Sequence, residues 1–143
     1  MQASHGAYSL TDDPDAIDLD VVCDLLRDTY WAADRPRDLV ALSLRNSLCF
    51  SVRHHDRQVA LARVLTDHGA VSYLCDVVVD PAHRGRRVGR WLMQCVLEHP
   101  AVRQTRTLLV TRDAQRFYAE LGFVTHPYEC MVRAEPLRRD GVV

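Results

Sequence analysis

The sequence contains no lysine: all 18 of its basic residues are arginine. Arginine keeps its charge and grips anions with a planar fork, whereas lysine can lose a proton and act as a nucleophile. Schiff-base chemistry, a lysine nucleophile and a phosphate-loop lysine are therefore excluded. Aromatic residues make up only 7%, and glycine and proline number 6 each, which excludes collagen-like and low-complexity classes. None of the five cysteines (Cys23, Cys49, Cys75, Cys95, Cys130) forms a CxxC pair. His54, His55, His83 and Cys75 show no zinc-ligand spacing, so no metal is expected. The chain opens without a basic stretch leading into an apolar run, and it contains no run of about 18 apolar residues, so neither a secretory signal nor a membrane span is expected. A formal net charge of -1 gives no bulk electrostatic case for nucleic acid or an anionic membrane as partner.

What is present fits one globular domain over residues 1–143, with 48% hydrophobic and 26% charged residues. Residues 1–7 and 136–143 read as flexible ends. Cysteines placed in apolar runs, as in Leu48-Cys49-Phe50, point to buried reduced thiols and a cytoplasmic location.

Periodicity supplies the elements. Tyr8 to Thr11 reads as a short strand. Leu19, Val22, Cys23, Leu25 and Leu26 form a helical stripe ending near Tyr30-Trp31, and Pro36 opens a second helix carrying Leu39, Val40 and Leu42. Leu48 to Arg53, Gln58 to Thr66 and Ala70 to Val79 read as three strands of an antiparallel meander, with glycine providing the positive φ at Asp67-His68-Gly69. After Asp80-Pro81 come a helix from Val88 to Leu97, a strand at Thr107 to Thr111, and a short helix over Asp113 to Leu121 that Gly122 ends. Phe123 to Thr125 and Tyr128 to Arg133 read as closing strands. The order implies an α/β (α+β) mixed sheet with helices on its faces.

The stretch richest in chemical information runs from Val77 through Leu92. A buried strand ends in a turn with Gly85 and Gly89 and then enters a helix, which aims unpaired N–H groups and the positive end of a helix dipole at one spot. Such a place suits an anion, above all a diphosphate, and Arg84, Arg86, Arg87 and Arg90 add charge. The same pattern also describes a solvated basic helix start. Asp76 stands within the apolar run Tyr73-Leu74-Cys75-Asp76-Val77-Val78-Val79, where a carboxylate is costly unless it is paired or functional. Two readings follow: an ion pair with an arginine such as Arg63, or a site residue facing an amine.

Pro81 to Gly89 resembles the acyl-CoA loop of the GNAT superfamily of N-acetyltransferases, whose pattern is Gln or Arg, two residues, Gly, one residue, then Gly or Ala. Arg84 and Gly89 occupy its ends. Ala114, Tyr118 and Gly122-Phe123 are similar to the family's following helix, and the resemblance spans Leu48 to Phe123. It departs at Arg87, where the middle glycine is usual, and at Thr111, where many members have Asn. Its place at the helix start predicts ordinary helical dihedrals at Arg87, which would make the first departure harmless; a positive φ would strain it.

The resemblance implies a central, mostly antiparallel sheet splayed at the CoA site, with helices on both faces. It implies acetyl-CoA as co-substrate, its diphosphate on the N–H groups of Arg84, Gly85, Arg86, Arg87, Val88, Gly89 and Arg90. The pantetheine arm would pair along Val77 and Val79, and Val77 would polarise the thioester carbonyl. Tyr118 would protonate the departing thiolate. The run ending in Asp76 is similar to that of diamine acetyltransferases, which implies an aspartate facing the acceptor amine. An acceptor pocket would draw on Tyr30, Trp31, Asp34 and Arg35 on one loop and His126, Tyr128 and Glu129 on the last. The expected activity is direct acetyl transfer to a primary amine of a small molecule or peptide, by a monomer or homodimer; a non-catalytic acyl-CoA-binding or sensing module is the alternative, given weight by Arg87.

Overall fold

The structure, a computed structural model, describes residues 1–128, 130 and 131. They divide into two units, one over Met1–Asp113 and one from Ala114 onward.

The first unit is built on a six-stranded sheet in the order β1-β2-β3-β4-β5-β6. Its strands are β1 (Gln2–His5), β2 (Tyr8–Thr11), β3 (Leu48–His54), β4 (Arg57–Thr66), β5 (Val71–Val79) and β6 (Arg106–Leu108). The first five are antiparallel neighbours, and β6 joins β5 in parallel. The sequence places a loose segment at residues 1–7; instead β1 pairs with β2 from Gln2↔Thr11 to His5↔Tyr8. The polar alternation of Gln2-Ala3-Ser4-His5 hides an edge strand, which needs no apolar face. The N-terminal ammonium also pairs with Asp12, which pins the chain end.

Helices cover both faces. Helix α1 (Leu19–Arg27) starts at Asp18, whose carboxylate accepts from the N–H groups of Asp20 and Val21, satisfying two donors that the first turn leaves open. It turns Val22 and Leu26 inward. Helix α2 (Arg37–Arg45) starts after Pro36 and turns Val40 inward. These meet Cys49, Leu61 and Val78 of the sheet in one buried cluster. On the alternate side, Phe50 meets His99 at the end of α3 (Val88–Glu98), ring centroids 5.3 Å apart. Leu92, Met93 and Val96 of α3 are fully buried. Each such side chain contributes roughly 1.5–3 kcal/mol of transfer free energy, so α3 is anchored firmly and its N-terminus is held at a fixed place.

One of the hairpin turns differs from expectation. At Asp67-His68-Gly69 the positive φ falls on His68 (61°), and Gly69 stays outside that region. The Asp67 carboxylate explains this: it accepts from the N–H groups of Gly69, Ala70 and Val71 at 2.8–3.0 Å, fixing the turn by its side chain. The second unit holds α4 (Gln115–Ala119), within which Tyr118 packs edge-on against Phe117 and Phe123. The expected strand at Phe123 to Thr125 is not formed; Gly122 takes φ 90° after the helix and the residues following it are irregular. Of the last expected strand, Tyr128, Cys130 and Met131 are described and are not in a strand, while Glu129 and residues 132–133 lie outside the described residues, as does the expected flexible tail 136–143. No described helix is long and apolar enough to cross a membrane, and all five cysteines are free thiols.

Candidate active site

The strand-turn-helix passage forms as the residues suggest. Strand β5 ends at Val79, and Asp80 caps a 3-10 turn over Pro81–His83 by accepting from the Ala82 N–H at 2.9 Å. Arg84 folds its Nε back onto the Val79 carbonyl at 3.2 Å, tying the turn to the strand it leaves. Gly85 then takes φ 73° and Arg87 φ 62°, ψ 10°. The expectation of ordinary helical dihedrals at Arg87 is therefore overturned. This arginine adopts the left-handed conformation that glycine would enter without strain, at a cost of about 1–2 kcal/mol. The loop therefore holds Arg87 in a conformation whose strain a glycine at this position would avoid.

Helix α3 begins there without a side-chain cap. Its first intrahelical bond runs from Trp91 N–H to the Arg87 carbonyl at 3.0 Å. The N–H groups of the preceding turn, Val88 and Gly89 among them, point out of the helix end with the positive dipole behind them. Val88 is buried and anchors the turn; Gly85, Arg86 and Arg87 are exposed around it. An uncapped helix end of this kind suits an anion such as a diphosphate, and the exposed Arg84, Arg86 and Arg87 adjoin it in sequence. Asp80, Pro81 and Arg84 also line a recess of about 190 Å3 whose other wall is α1, through Val21, Asp24 and Leu25. A second recess of about 420 Å3, lined by Ile17, Leu19, Ala41 and Leu44, contains none of these residues.

The edge of β5 is open where the acyl arm is expected. Strand β6 pairs only with Val71, Ser72 and Tyr73, so among the described residues the β5 edge from Leu74 to Val79 has no strand beside it. Within β5 the register against β4 also slips: Leu61 pairs with Val78 and Arg63 with Cys75, so Ala62 faces both Asp76 and Val77. This is a β-bulge, and Asp76 takes φ 42° within it. Val77 and Val79 remain half-buried on this open edge.

Asp76 is buried, and its carboxylate is saturated. Oδ1 accepts from Trp31 Nε1 at 3.1 Å and from Arg35 Nη2 at 3.2 Å. Oδ2 accepts from Arg35 Nη1 at 2.7 Å and Arg63 Nε at 2.7 Å. A carboxylate offers about four lone-pair positions, and all four are filled. Burial alone would push the carboxyl pKa up, but the hydrogen bonds and charges of Arg35 and Arg63 outweigh it and hold the group below the usual carboxylate range. Of the two readings open in the sequence, the geometry favours the ion pair. Arg63 was within reach of sequence reasoning, being across the strand; Arg35 was not, since 41 residues separate it from Asp76.

Tyr30 and Trp31 meet edge to face, 4.9 Å between centroids, and both are partly exposed. The Arg112 guanidinium lies 3.8 Å over the Tyr30 ring, and its backbone N–H donates to Tyr30 Oη at 2.9 Å. The structure thus joins Tyr30 and Trp31 to Asp76 in one network. Asp34 is exposed and outside that network. Tyr118 sits on α4 in the second unit, and Glu129 lies outside the described residues.

Residues 45–125 match the Acetyltransferase (GNAT) domain. A GNAT-family protein from Xanthomonas campestris pv. campestris superposes with a TM-score of 0.86 at 37% identity, over 93% of this chain and 95% of its own. A Gibberella zeae protein named as an acetyltransferase is 28% identical over 82% of this chain and 78% of its own length. The histone acetyltransferase TAP1 of Glycine max is 28% identical over 84% of this chain, which spans 56% of that protein. With this domain match over more than half its length and this superposition, the chain belongs to the GNAT family of acetyltransferases.

Proposed function

We propose that the chain carries an acetyl group from acetyl-CoA directly to a primary amine. The observation that carries this reading is the pairing of an open β5 edge with an uncapped α3 N-terminus a few residues downstream. Acetyl-CoA supplies an activated thioester; the residues supply placement. Val88 and Gly89, at the helix start, hold the diphosphate with Arg84, Gly85, Arg86, Arg87 and Arg90 around it. Val77 and Val79 align the arm along the strand edge, and the Val77 N–H polarises the acyl carbonyl. One preorganised donor of that kind contributes about 3 kcal/mol. Tyr118 gives a proton to the departing sulfur. An amine in its neutral form is a strong nucleophile, so positioning replaces a covalent enzyme intermediate. Asp76 acts on the acceptor through the side chains it orients, Trp31 and Arg35, with Tyr30 beside them.

The test is release of free thiol from acetyl-CoA in the presence of an amine panel, with calorimetric CoA binding in parallel. Amine-dependent thiol release is expected, together with loss of CoA binding on Gly89→Val. Binding without release for every amine would leave a CoA-binding module, and unchanged affinity in Gly89→Val would remove the diphosphate assignment.

A further inference from the structure

We infer that Arg35 selects amine acceptors that also carry an anionic group, a carboxylate or a phosphate. The inference rests on the acetyltransfer reading and adds the acceptor class to it. Asp76 cannot anchor an ammonium group without losing a partner, because all four of its acceptor positions are taken. The cluster it forms is not neutral either. One buried carboxylate faces two guanidiniums, so Asp76, Arg35 and Arg63 together hold a charge of about +1.

That charge has an outlet at Arg35. The Arg63 side chain is 10% exposed and spends Nη1 on Ser47 Oγ at 3.0 Å. The Arg35 side chain is 24% exposed and, among the described residues, donates two of its five N–H bonds, both to Asp76. Its remaining donors sit on a guanidinium whose orientation is locked by a two-pronged grip on a buried base. Locking lowers the entropy lost when a ligand binds, and a planar fork suits carboxylate or phosphate oxygens. Asp34 is exposed next to Arg35, and Asp113 lies 3.9 Å from Arg112; water screens these surface carboxylates far more than the half-buried cluster. Tyr30 and Trp31 form an apolar flank for the acceptor's carbon skeleton. The cluster is next to the reacting position, since Asp76 and Val77 are the two bulge residues opposite Ala62.

The experiment compares matched acceptors on the wild-type protein by thiol release: β-alanine against β-alaninamide, 2-aminoethyl phosphate, and spermidine. The expected result is at least a tenfold higher kcat/KM for β-alanine or 2-aminoethyl phosphate than for β-alaninamide and spermidine, and the two anionic probes decide between carboxylate and phosphate. Arg35→Lys retains a charge for Asp76 while losing the fork. It should reduce the advantage of the anionic acceptor over the amide at least fivefold, chiefly through KM. Turnover that favours spermidine or the amide overturns the inference and leaves acetyltransfer standing. If no amine releases thiol, acetyltransfer itself fails. Calorimetry with β-alanine and 2-aminoethyl phosphate in the presence of CoA then decides the anionic subsite alone: heat abolished in Arg35→Lys supports it, and no heat from either probe rejects it.

Discussion

Replacing Asp76 by asparagine tests the physical account of the site most directly. The substitution keeps shape, and asparagine tolerates the left-handed φ of 42°, so backbone strain is not introduced. It removes one charge and turns one acceptor oxygen into an N–H donor. Whichever way the amide faces, its nitrogen meets two donors: Trp31 and Arg35 on one side, or Arg35 and Arg63 on the other. Two hydrogen bonds are lost and two guanidiniums lose their counter-charge. Breaking a buried pair from one side costs about 3–5 kcal/mol, and the partial exposure of Arg35 favours the lower end, about 3 kcal/mol. For a chain of 143 residues this corresponds to a fall in Tm of roughly 10 °C. Calorimetry and urea unfolding at neutral pH measure it, and the urea midpoint should fall with the m-value unchanged. The Asp76 pKa is lowered on folding, so its contribution is complete above the ordinary carboxylate pKa of about 3.9 and fades as pH drops through the lower folded value. Wild type and variant should therefore converge only below about pH 4. A loss under about 1 kcal/mol at neutral pH refutes the network as a stabilising element and returns Asp76 to the role of an unpaired site carboxylate.

Three further outcomes follow from the same geometry. Arg87 bears a left-handed φ of 62°, so stability in urea should rank Arg87→Gly at or above wild type, and Arg87→Val lower by about 1–2 kcal/mol; an inverted order refutes the strain. Three backbone N–H bonds hold the Asp67 carboxyl down to about 2, so its NMR titration midpoint should lie near that value; stability linked to it is present above about pH 4 and is lost as the pH falls toward 2. A midpoint near 4 would show that the Asp67 turn is open in solution. Tyr118→Phe should lower kcat about tenfold to a hundredfold with little change in KM for acetyl-CoA, and equal turnover would leave Tyr118 as a packing residue against Phe117 and Phe123.

The sequence by itself determined the parts whose causes are local. The meander of β3, β4 and β5 follows from apolar runs broken by the polar turns His54 to Arg57 and Asp67 to Gly69, and α3 from a stripe ending at His99-Pro100. The anion-binding turn was legible too, because Gly85, Gly89 and four arginines fall within seven residues. Tertiary structure decided the rest. Strand β1 exists because an edge can pair through its backbone with few apolar side chains, which leaves no pattern to read. The bulge at Asp76 and Val77 is a mismatch between two strands, and no single strand records its partner's register. The dihedrals of Arg87 were set by the strand end and the buried start of α3, which together overrode the preference of a non-glycine residue. Above all, the charge of the candidate site depends on Arg35 meeting Asp76 across 41 positions of chain. In sequence Asp76 is an acidic residue in an apolar strand; folded, it is the base of a cationic cluster, because burial forces a carboxylate to gather whatever donors the surrounding elements bring.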